Sequence, residues 1–245
     1  MLNLAAPDEI FCSAHPRESL EANTSINWQV MSALRNCGGE IPVIYTSTFH
    51  VYGKNAVGEI SEATQPAPTH PYGLGKQLGE SVVGYHRNSF GAKALCVRLS
   101  NAFGAAVSSQ VPRLSLVFND LCRQAVAEKR LVLKTSGTQK RNFITIGDFA
   151  RAMEFLSLCP QRWPQDGVVN LGGRTDLSIM EVAQLIAART EKMFGYAPEI
   201  CVQDPTPQRS VPFQFGVERL AALGFSWESD VEREIDDTLV LYAGK

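Results

Sequence analysis

The chain has 245 residues and a formal net charge of -2 at pH 7. This length allows one large domain or a domain with a smaller lobe, and the charge provides no basic field that would attract nucleic acid or an anionic membrane. No apolar run approaches the ~20 residues that a membrane-spanning helix needs. We therefore expect neither nucleic acid nor a membrane as a partner.

The cysteines and histidines predict no metal site and no disulfide framework. The six cysteines are scattered without a C-x-x-C pair, and the four histidines show no ligand spacing with them. The first residues show no basic stretch followed by a long apolar core, so no signal peptide is expected. These features predict reduced, mostly buried thiols and a cytoplasmic protein.

The N-terminal part of the chain predicts a strand, a helix and a second strand. Residues 1–6 form a short apolar run that is typical of a buried strand. From Ala14 to Cys37 we expect a loop and then a helix, because apolar residues recur at helical spacing and Gly38 can end the helix. These apolar residues are Ile26, Val30, Met31 and Leu34. The β-branched run at Ile41–Ile44 predicts the second strand.

Two hydroxyl residues, Ser47 and Thr48, are expected at the carboxyl end of this second strand. They begin a stretch that continues to Val51-Tyr52-Gly53. In open α/β sheets, ligands bind at the carboxyl ends of the strands. The position of these two hydroxyls therefore predicts a binding site.

Tyr72 and Lys76 are four residues apart, which places them on one face of the helix predicted here. Thr69 is the expected N-cap, Pro71 suits the first turn, and the helix is expected to continue to about Asn88. A phenol has a pKa near ~10 and is a poor base at neutral pH, but an ammonium group within about 4–6 Å favours the phenolate. An ordinary surface pair remains the alternative, because so short a motif often matches by chance.

The rest of the chain continues to alternate strands with helices. The expected order is a strand at Ala92–Ser100, a helix at Val111–Glu128, strands at 131–133 and 141–146, a helix capped by Asp148, a strand at 168–171, a helix from Ser178 to Phe194 and a short helix with Leu220 and Leu223. Ser178 and Glu181 have the spacing of a capping box, which supports the start of the long helix.

Taken together, the Ser-Thr strand end followed by Val-Tyr-Gly and the Y-x-x-x-K spacing resemble the extended short-chain dehydrogenase/reductase family of nucleotide-sugar epimerases, dehydratases and reductases. The resemblance implies that Thr48, Tyr72 and Lys76 are catalytic, and that Lys76 also holds the nicotinamide ribose. It implies an α/β fold with a Rossmann-like parallel sheet and a smaller, mixed substrate-binding lobe.

The resemblance also implies a site for NAD or NADP. The implied cofactor-binding residues are Leu4, Ala5, Ala6, Asn23, Ser47, Tyr72 and Lys76. Leu4, Ala5 and Ala6 look like the Leu-Ala-Ala run that lines the cofactor in the family. Asn23 matches the family's Asn in its spacing from Pro16, although an ordinary polar residue early in a helix is an equally open interpretation.

A nucleotide-diphosphate sugar is the implied substrate. The segment Arg98–Gly104 resembles the family's R-x-x-N-x-Y-G, with Phe in place of Tyr, and residues 141–148 resemble R-D-F-x-x-V-x-D. The implied substrate-binding residues are Thr48, Asn101, Arg141 and Arg209. A turn-forming Asn101 and a solvated Arg141 at a strand edge are the alternatives.

One family feature is absent from this sequence, because no G-x-x-G-x-x-G or G-x-G-x-x-G turn stands near the N-terminus. Such a turn and the helix after it hold the pyrophosphate of a dinucleotide. The chain therefore resembles a member that lacks its first three strand–helix units, roughly 60–70 residues. A complete, differently built protein is the alternative. Residues 1–105 are then expected to form the C-terminal half of the dinucleotide-binding domain. Residues 106–245 would hold the remaining strands and the substrate lobe, interleaved.

The resemblance favours an NAD(P)-dependent nucleotide-sugar epimerase or ketoreductase, an isomerase or oxidoreductase. The alternative is a truncated, non-catalytic fragment of such an enzyme that does not bind cofactor. A dehydratase is disfavoured, because Phe49 and His50 stand where family dehydratases carry Asp-Glu after the catalytic Thr. A redox-sensing regulator is disfavoured by the presence of both Tyr72 and Lys76. A homodimer is one of the assemblies left open.

Overall fold

A computed structural model gives the fold and describes residues 1–38, 40–107, 116–206 and 211–244. The strands are β1 (Leu2–Asn3), β2 (Val43–Thr48), β3 (Gly58–Ile60), β4 (Ala94–Leu99), β5 (Asn101–Phe103), β6 (Arg130–Leu133), β7 (Lys140–Thr145), β8 (Val168–Leu171), β9 (Asp176–Ser178), β10 (Glu199–Val202) and β11 (Phe213–Phe215). The helices are α1 (Glu9–Ala14), α2 (Pro16–Asn36), α3 (Pro71–Phe90), α4 (Val117–Ala127), α5 (Ile146–Leu158), α6 (Ile179–Phe194), α7 (Glu218–Ala222) and α8 (Val231–Ala243). Short 3₁₀ turns occupy Phe49–Val51, Gly53–Asn55 and Pro160–Arg162.

The chain divides into two compact units. The first unit comprises Met1–Ser100, Arg151–Leu171 and Gly216–Ser226, and the second comprises Asn101–Ala150, Gly172–Phe215 and Trp227–Lys245. Each unit is therefore assembled from three segments of sequence. The predicted division into a dinucleotide-binding part, residues 1–105, and a remainder, residues 106–245, stays a prediction.

The first unit is built on a parallel sheet with the strand order β1-β2-β4-β8. The central strands β2 and β4 pair from Val43 opposite Ala94 to Thr48 opposite Leu99. Except for the half-buried Leu99, their apolar residues are almost fully buried, as in parallel sheets whose two faces are both covered. Because all the pairings are parallel, the carboxyl ends of β2, β4 and β8 lie at the same edge of the sheet.

Helices α2 and α3 pack against each other beside this sheet. A buried cluster joins them to the strands, and it consists of Met31, Val43, Tyr45, Val83, Ala94 and Cys96. Helix α3 begins with Pro71 in its first turn and ends at Gly91, whose φ of 68° is left-handed. This end is a common helix C-terminus, because glycine adopts that conformation without steric cost.

The second unit is mixed in strand direction. In it, β5 pairs with β7 in parallel, β7 pairs with β9 antiparallel, and β6 pairs with β10 in parallel. Its core contains stacked Phe103 and Phe118 rings with Phe143 packed edge-on. The α/β class, with parallel strands in one part and a mixed second part, is confirmed.

Several predicted elements are confirmed with small shifts in their bounds. The strand expected at Ile41–Ile44 is observed at Val43–Thr48, which puts Ser47 and Thr48 in its last two positions. The capping box of Ser178 and Glu181 is present and opens α6. The helix expected at Val111–Glu128 is observed at Val117–Ala127, and residues 111–115 lie outside the described part of the chain.

The prediction of a buried strand over residues 1–6 is wrong. Only Leu2–Asn3 is a strand, and Leu2 and Leu4 are 44% and 56% exposed. Asn3 is buried instead, and its Nδ2 donates to the Asn27 Oδ1 at 2.9 Å. The apolar pattern was misleading because the one inward position of this short edge strand is polar.

The expected helix after Ala14 is also corrected. The chain is already helical over Glu9–Ala14 and again over Pro16–Asn36. The buried stripe of α2 consists of Ser19, Asn23, Asn27 and Met31, so of the four apolar positions predicted to be inward only Met31 is fully buried. The asparagine amides make this possible by donating to carbonyls one turn earlier in the same helix.

Two helix caps differ from the prediction. His70, and not Thr69, is the N-cap of α3. Helix α5 begins at Ile146, and the Thr145 Oγ1 accepts from the Asp148 backbone N–H at 3.1 Å, so Thr145 and not Asp148 caps it. The Asp148 carboxylate instead accepts backbone N–H groups of Glu228 and Ser229.

Three further features of the described residues concern the thiols, metal ligands and apolar helices. All six cysteines are free thiols, and four of them are buried. In the part of the chain that the structure describes, no three His, Cys, Asp or Glu side chains are grouped to hold a metal ion. None of the described helices is long and apolar enough to cross a membrane.

Candidate active site

The start of α3 positions Tyr72 and Lys76. Tyr72 is the second residue of the helix, and its backbone N–H donates to the Nδ1 of the capping His70 at 3.1 Å. A Cβ atom on Gly73 would stand 2.6 Å from the His50 carbonyl oxygen. The absence of a side chain at Gly73 therefore lets the helix start lie directly on the turn that follows β2.

Lys76 is buried, with only 3% of its surface exposed. Its Nζ donates to the Thr46 carbonyl oxygen at 2.7 Å and lies 5.2 Å from the centroid of the Tyr45 ring. Burial lowers the pKa of Lys76 to about 8, although Cys12 and Glu80 act in the opposite direction. The ammonium group is still charged at neutral pH, where a nearby anion or polar ligand would offset its desolvation.

The carboxyl end of β2 presents a group of buried hydroxyls. The Thr48 Oγ1 accepts the His50 backbone N–H at 3.3 Å and so caps the 3₁₀ turn, which leaves its own proton to donate. The hydroxyls of Thr46, Ser47 and Ser100 are buried and reach no hydrogen-bond partner among the described residues. Since buried polar groups are normally paired, this edge of the sheet has the character of a ligand site.

Lys76 and Tyr72 each contact a residue two positions away from Thr48. Lys76 reaches the carbonyl of Thr46, two residues before Thr48. The ring of Tyr72 lies 5.9 Å from the ring of His50, two residues after Thr48. The Lys76 Nζ is also 6.0 Å from the centroid of the Tyr72 ring, which is within reach of a direct electrostatic effect.

Asn23 packs against the same helix. It is 1% exposed, and its Nδ2 donates to the Ser19 carbonyl oxygen at 2.9 Å, while its Oδ1 is buried with no partner among the described residues. A Cβ on Gly75 would come within 2.9 Å of that Nδ2, so Asn23 lies against the turn of α3 between Tyr72 and Lys76. The Asn23 Oδ1 is thus a further unsatisfied polar atom, in addition to the three hydroxyls.

Leu4, Ala5 and Ala6 follow β1 at the neighbouring strand end. Leu4 and Ala5 are exposed and Ala6 is half-buried. The Ala5 backbone N–H donates to the Asn3 Oδ1 at 3.2 Å, which fixes the chain as it leaves the strand. These residues are accessible to a ligand at the sheet edge.

Apart from Thr48, which lies in β2 of the first unit, the predicted substrate residues belong to segments of the second unit. Asn101 lies in β5, and its Nδ2 donates to the Asn142 carbonyl oxygen of β7 at 2.9 Å, so its amide also supports the strand pairing. Arg141 lies in β7, half-buried, with its Nη2 3.5 Å from the Gln139 Oε1. Arg209 lies outside the described residues.

A buried polar network beside Lys76 was not anticipated from the sequence. The Tyr52 hydroxyl donates to the Asn170 Oδ1 at 2.6 Å and accepts from the Arg98 Nη1 at 3.1 Å. Arg98 also donates from Nε and Nη2 to the Glu80 carboxylate, at 3.0 and 2.8 Å. Burial raises the pKa of Tyr52, which keeps its hydroxyl protonated as a donor.

This network ties helix α3 to the sheet. Glu80 comes one turn after Lys76 on α3, Arg98 lies on β4 and Asn170 on β8. Burial alone would lower the pKa of Arg98, but the paired Glu80 carboxylate outweighs it and raises the pKa, so Arg98 stays charged. The available signal in the sequence was a charged residue inside each of two buried elements, since such charges require a partner.

The family follows from a match over most of the chain. Residues 2–172 match the profile of the NAD dependent epimerase/dehydratase family. The chain belongs to this family. It is 29% identical over 143 residues to the uncharacterized UDP-glucose epimerase YtcB of Bacillus subtilis strain 168, a stretch that covers 58% of this chain and 43% of that relative. The chain spans less than two thirds of the first curated relatives it matches, with 43%, 28% and 57% of their lengths covered.

Solved structures with the same fold cover nearly the whole chain. RMD from Pseudomonas aeruginosa, complexed with NADPH, superposes with a TM-score of 0.83 at 21% identity, over 99% of this chain and 80% of that chain. The UDP-glucuronic acid 4-epimerase of Bacillus cereus, in complex with NAD, gives 0.77 at 22% identity, over 98% and 73%. These likenesses confirm the predicted Rossmann-like fold of the family.

Proposed function

We propose that this chain carries the catalytic residues of an NAD(P)-dependent nucleotide-sugar epimerase or ketoreductase. The observation that carries the proposal is the buried Lys76, held by the Thr46 carbonyl and close to the Tyr72 ring at the carboxyl end of β2. Membership of the NAD dependent epimerase/dehydratase family supports it, as does the UDP-glucose epimerase named among the relatives. A cytoplasmic location is part of the proposal.

In this proposal Tyr72 transfers a proton to and from the reacting sugar oxygen. The charge of Lys76 favours the phenolate form of Tyr72, because an opposite charge nearby stabilises an anion. The Thr48 hydroxyl, which already accepts a backbone N–H, donates its proton to the same sugar oxygen and orients it. Phe49 and His50 offer no carboxylate directly after Thr48, which disfavours water elimination.

The residues present fit the nicotinamide half of NAD or NADP. Lys76 and the unpaired Asn23 Oδ1 and Ser47 Oγ are buried polar groups that ribose hydroxyls and the carboxamide would satisfy. Leu4, Ala5 and Ala6 would contact the cofactor from the neighbouring strand end. The cofactor supplies the hydride acceptor and donor. The neighbours bound to NAD and NADPH support both forms as candidates.

The proposed substrate is a nucleotide-diphosphate sugar such as the UDP sugars in the names of the relatives. A planar guanidinium can bind two diphosphate oxygens at once, so Arg141 and Arg209 are assigned to the diphosphate. Asn101 is assigned to the diphosphate or the sugar. Substitution of either arginine by alanine should mainly raise KM, because the arginine binds the diphosphate about equally in the substrate and in the transition state.

The first prediction concerns Tyr72→Phe. We expect it to abolish turnover of a nucleotide sugar and to leave cofactor binding nearly intact, because it removes the phenolic proton and little volume. Proton transfer by a positioned group contributes ~10²–10⁴ in rate. The variant is made in a chain that carries a Gly-rich strand–turn–helix ahead of residue 1, since the sequence here holds no such turn. A Tyr72→Phe enzyme that keeps more than about a tenth of the wild-type kcat would exclude Tyr72 as the acid and base.

A non-catalytic fragment that does not bind cofactor is the second candidate. Near residue 1 the sequence contains no Gly-rich turn to supply backbone N–H groups and a helix dipole to the pyrophosphate, so residues 1–245 alone would hold a dinucleotide weakly. The two candidates differ in the affinity for dinucleotide, which is the subject of the last prediction below.

A homodimer is proposed as the assembly. Trp28 on α2 stacks on Tyr85 of α3 with ring centroids 5.7 Å apart, and both are about half exposed, as is Phe90. An aromatic face on two adjacent helices is the kind of patch that a second copy would bury across a two-fold axis. We expect sedimentation velocity to show a dimer that Trp28→Lys converts to a monomer. Leu158→Lys, at an exposed position on α5 and not on α2 or α3, is the control and should leave the dimer intact.

A further inference from the structure

The N-cap of α3 differs in chemistry from the other side-chain caps of the described helices. Helices α1, α5, α6 and α8 are capped by Asp8, Thr145, Ser178 and Asp230, short side chains that reach only their own helix. Helix α3 is capped by His70, a longer side chain with a second ring nitrogen. That nitrogen, Nε2, lies 2.9 Å from the Ser13 Oγ on α1.

The hydrogen bonds around His70 form a chain with one consistent direction. The Nδ1 accepts the Tyr72 backbone N–H at 3.1 Å, so Nδ1 carries no proton. In a neutral imidazole the proton is then on Nε2, which donates to the Ser13 Oγ. The Ser13 hydroxyl in turn donates to the Glu9 carbonyl oxygen at 2.8 Å. Each donor in this chain meets an acceptor, which defines the tautomer of the ring.

This chain ties the backbone of Tyr72 to a second helix. An ordinary N-cap fixes only the first turn of its own helix. Here the cap is itself held by α1, while on the other side Gly73 lies against the His50 carbonyl oxygen. Tyr72 is therefore clamped between two neighbouring elements at the end of the helix that carries it, with Lys76 one turn further on.

We propose that His70 is a positioning residue for Tyr72, acting through its link to Ser13 on α1 as well as through the helix cap. The inference rests on the proposed role of Tyr72 as acid and base. A misplacement of about 1 Å at a reacting group can cost up to ~10²-fold in rate, so a clamp on the backbone next to Tyr72 is a source of catalytic precision.

The test follows the Tyr72 ring in residues 1–245 and needs no turnover. The protein is labelled with ¹³C at the phenolic carbon of tyrosine, and Tyr72→Phe assigns the Tyr72 signal. We expect His70→Ala to displace that signal and to raise the midpoint of the Tyr72 titration by about half a unit or more, because the ring moves away from the charge of Lys76. An unchanged signal and midpoint in His70→Ala would overturn the proposal.

Two further variants separate the clamp from the cap. Asparagine is among the best N-caps but is too short to reach α1, so His70→Asn should restore the melting temperature and only part of the Tyr72 signal. Ser13→Ala should displace the Tyr72 signal to the same partial extent. The double variant Ser13→Ala with His70→Asn should displace it little more than either single variant, because both remove the same link. Full restoration by His70→Asn, or no displacement in Ser13→Ala, would show that His70 is a helix cap only. These two variants also decide the question if His70→Ala does not fold.

Ser178→Ala is the control for general destabilisation. It removes a side-chain cap from α6 and should lower the melting temperature while it leaves the Tyr72 signal in place. A displacement as large as that of His70→Ala would mean that any lost cap moves Tyr72, which would refute a specific role for His70. If the proposed enzymatic function is wrong, the wild-type protein will show no turnover. The Tyr72 signal can still be followed in that case, so the two proposals are tested separately.

Discussion

At the scale of single residues, Lys76 places a charged amine in the buried part of the candidate site, where desolvation disfavours the charge. It is 3% exposed, and its Nζ reaches a backbone carbonyl and two aromatic rings. Desolvation therefore brings its pKa down to about 8. At neutral pH the group is charged and can favour the phenolate of Tyr72, whereas at higher pH it loses that charge. The same desolvation lowers the free energy of unfolding while Lys76 is charged. The depressed pKa of Lys76 can therefore be measured through the pH dependence of stability.

The second prediction is that Lys76 makes stability rise with pH over a defined window. The pKa of Lys76 falls from an ordinary 10.5 to about 8 on folding, so between these values the unfolded chain binds more protons than the folded chain. The free energy of unfolding of wild type, relative to Lys76→Met, should therefore increase by about 2 kcal/mol from about pH 7.5 to pH 9.5. Urea denaturation of both proteins at the two pH values measures this difference.

The comparison with Lys76→Met cancels the groups that act in the opposite direction. Burial raises the pKa of the Cys96 thiol and of Tyr45, which lowers stability as pH rises, but both groups are present in the two proteins. A flat difference between wild type and Lys76→Met over this range would mean that the amine of Lys76 is solvated and not buried as described.

At the scale of elements, glycines decide how closely α3 approaches its neighbours. A Cβ on Gly79 would stand 2.3 Å from the Tyr45 hydroxyl and 2.9 Å from the Asn27 Nδ2. A Cβ on Gly84, further along the same helix, would meet no atom within 4 Å. The tight side of α3 is thus the side that carries Lys76, where α2 and β2 pack.

The third prediction uses this pair of glycines. Gly79→Ala should destabilise the protein by roughly 1–3 kcal/mol, because the added methyl overpacks a buried contact. Gly84→Ala should stabilise it by about 0.5–1 kcal/mol, since alanine is the better helix former and the site has room. Thermal or urea unfolding measures both. Equal stabilisation by the two substitutions would show that α2 and α3 are not packed as closely as described.

The elements that sequence patterns predicted are those in which local and global preferences agree. The β-branched run before Ser47 and the capping box of Ser178 and Glu181 appear where expected. The inward face of α2 was missed because it is polar: Asn23 and Asn27 are buried there, and each amide nitrogen donates to a carbonyl oxygen one turn earlier in the helix. No periodicity of apolar residues can reveal such a face.

The candidate site was predictable in its residue types but not in its support. The spacing of Tyr72 and Lys76 and the hydroxyl at Thr48 are visible in the sequence. Nothing local indicated that His70 would reach α1, because Ser13 is 57 residues away along the chain. The pairing of Arg98 with Glu80, 18 residues apart, was hidden in the same way. Long-range polar partners depend on the packing of elements, which a single sequence does not specify.

At the scale of the whole molecule, the groups assigned to the cofactor are unevenly distributed. Lys76, Asn23 and Ser47 supply buried polar atoms suited to the nicotinamide half of a dinucleotide. The sequence contains no Gly-rich turn near β1 to hold the pyrophosphate. Around β1 the exposed side chains are apolar at Met1, Leu2, Leu4 and Ile10 and acidic at Asp8 and Glu9. Apolar and acidic side chains do not favour the binding of an anion.

The last prediction is that residues 1–245 bind NADH weakly and gain little from its adenosine half. A pyrophosphate is normally held by backbone N–H groups and a helix dipole, and without them the added phosphate and adenosine meet no matching donors. Fluorescence titration should therefore give dissociation constants for NADH and for reduced nicotinamide mononucleotide within about tenfold of each other, equivalent to about 1.4 kcal/mol. Lys76→Met should weaken both equally, since the shared nicotinamide ribose is the part that Lys76 is assigned to hold. A low-micromolar dissociation constant for NADH, with much weaker binding of the mononucleotide, would show that other residues of the chain bind the pyrophosphate. It would also exclude the second candidate function, a fragment that does not bind cofactor.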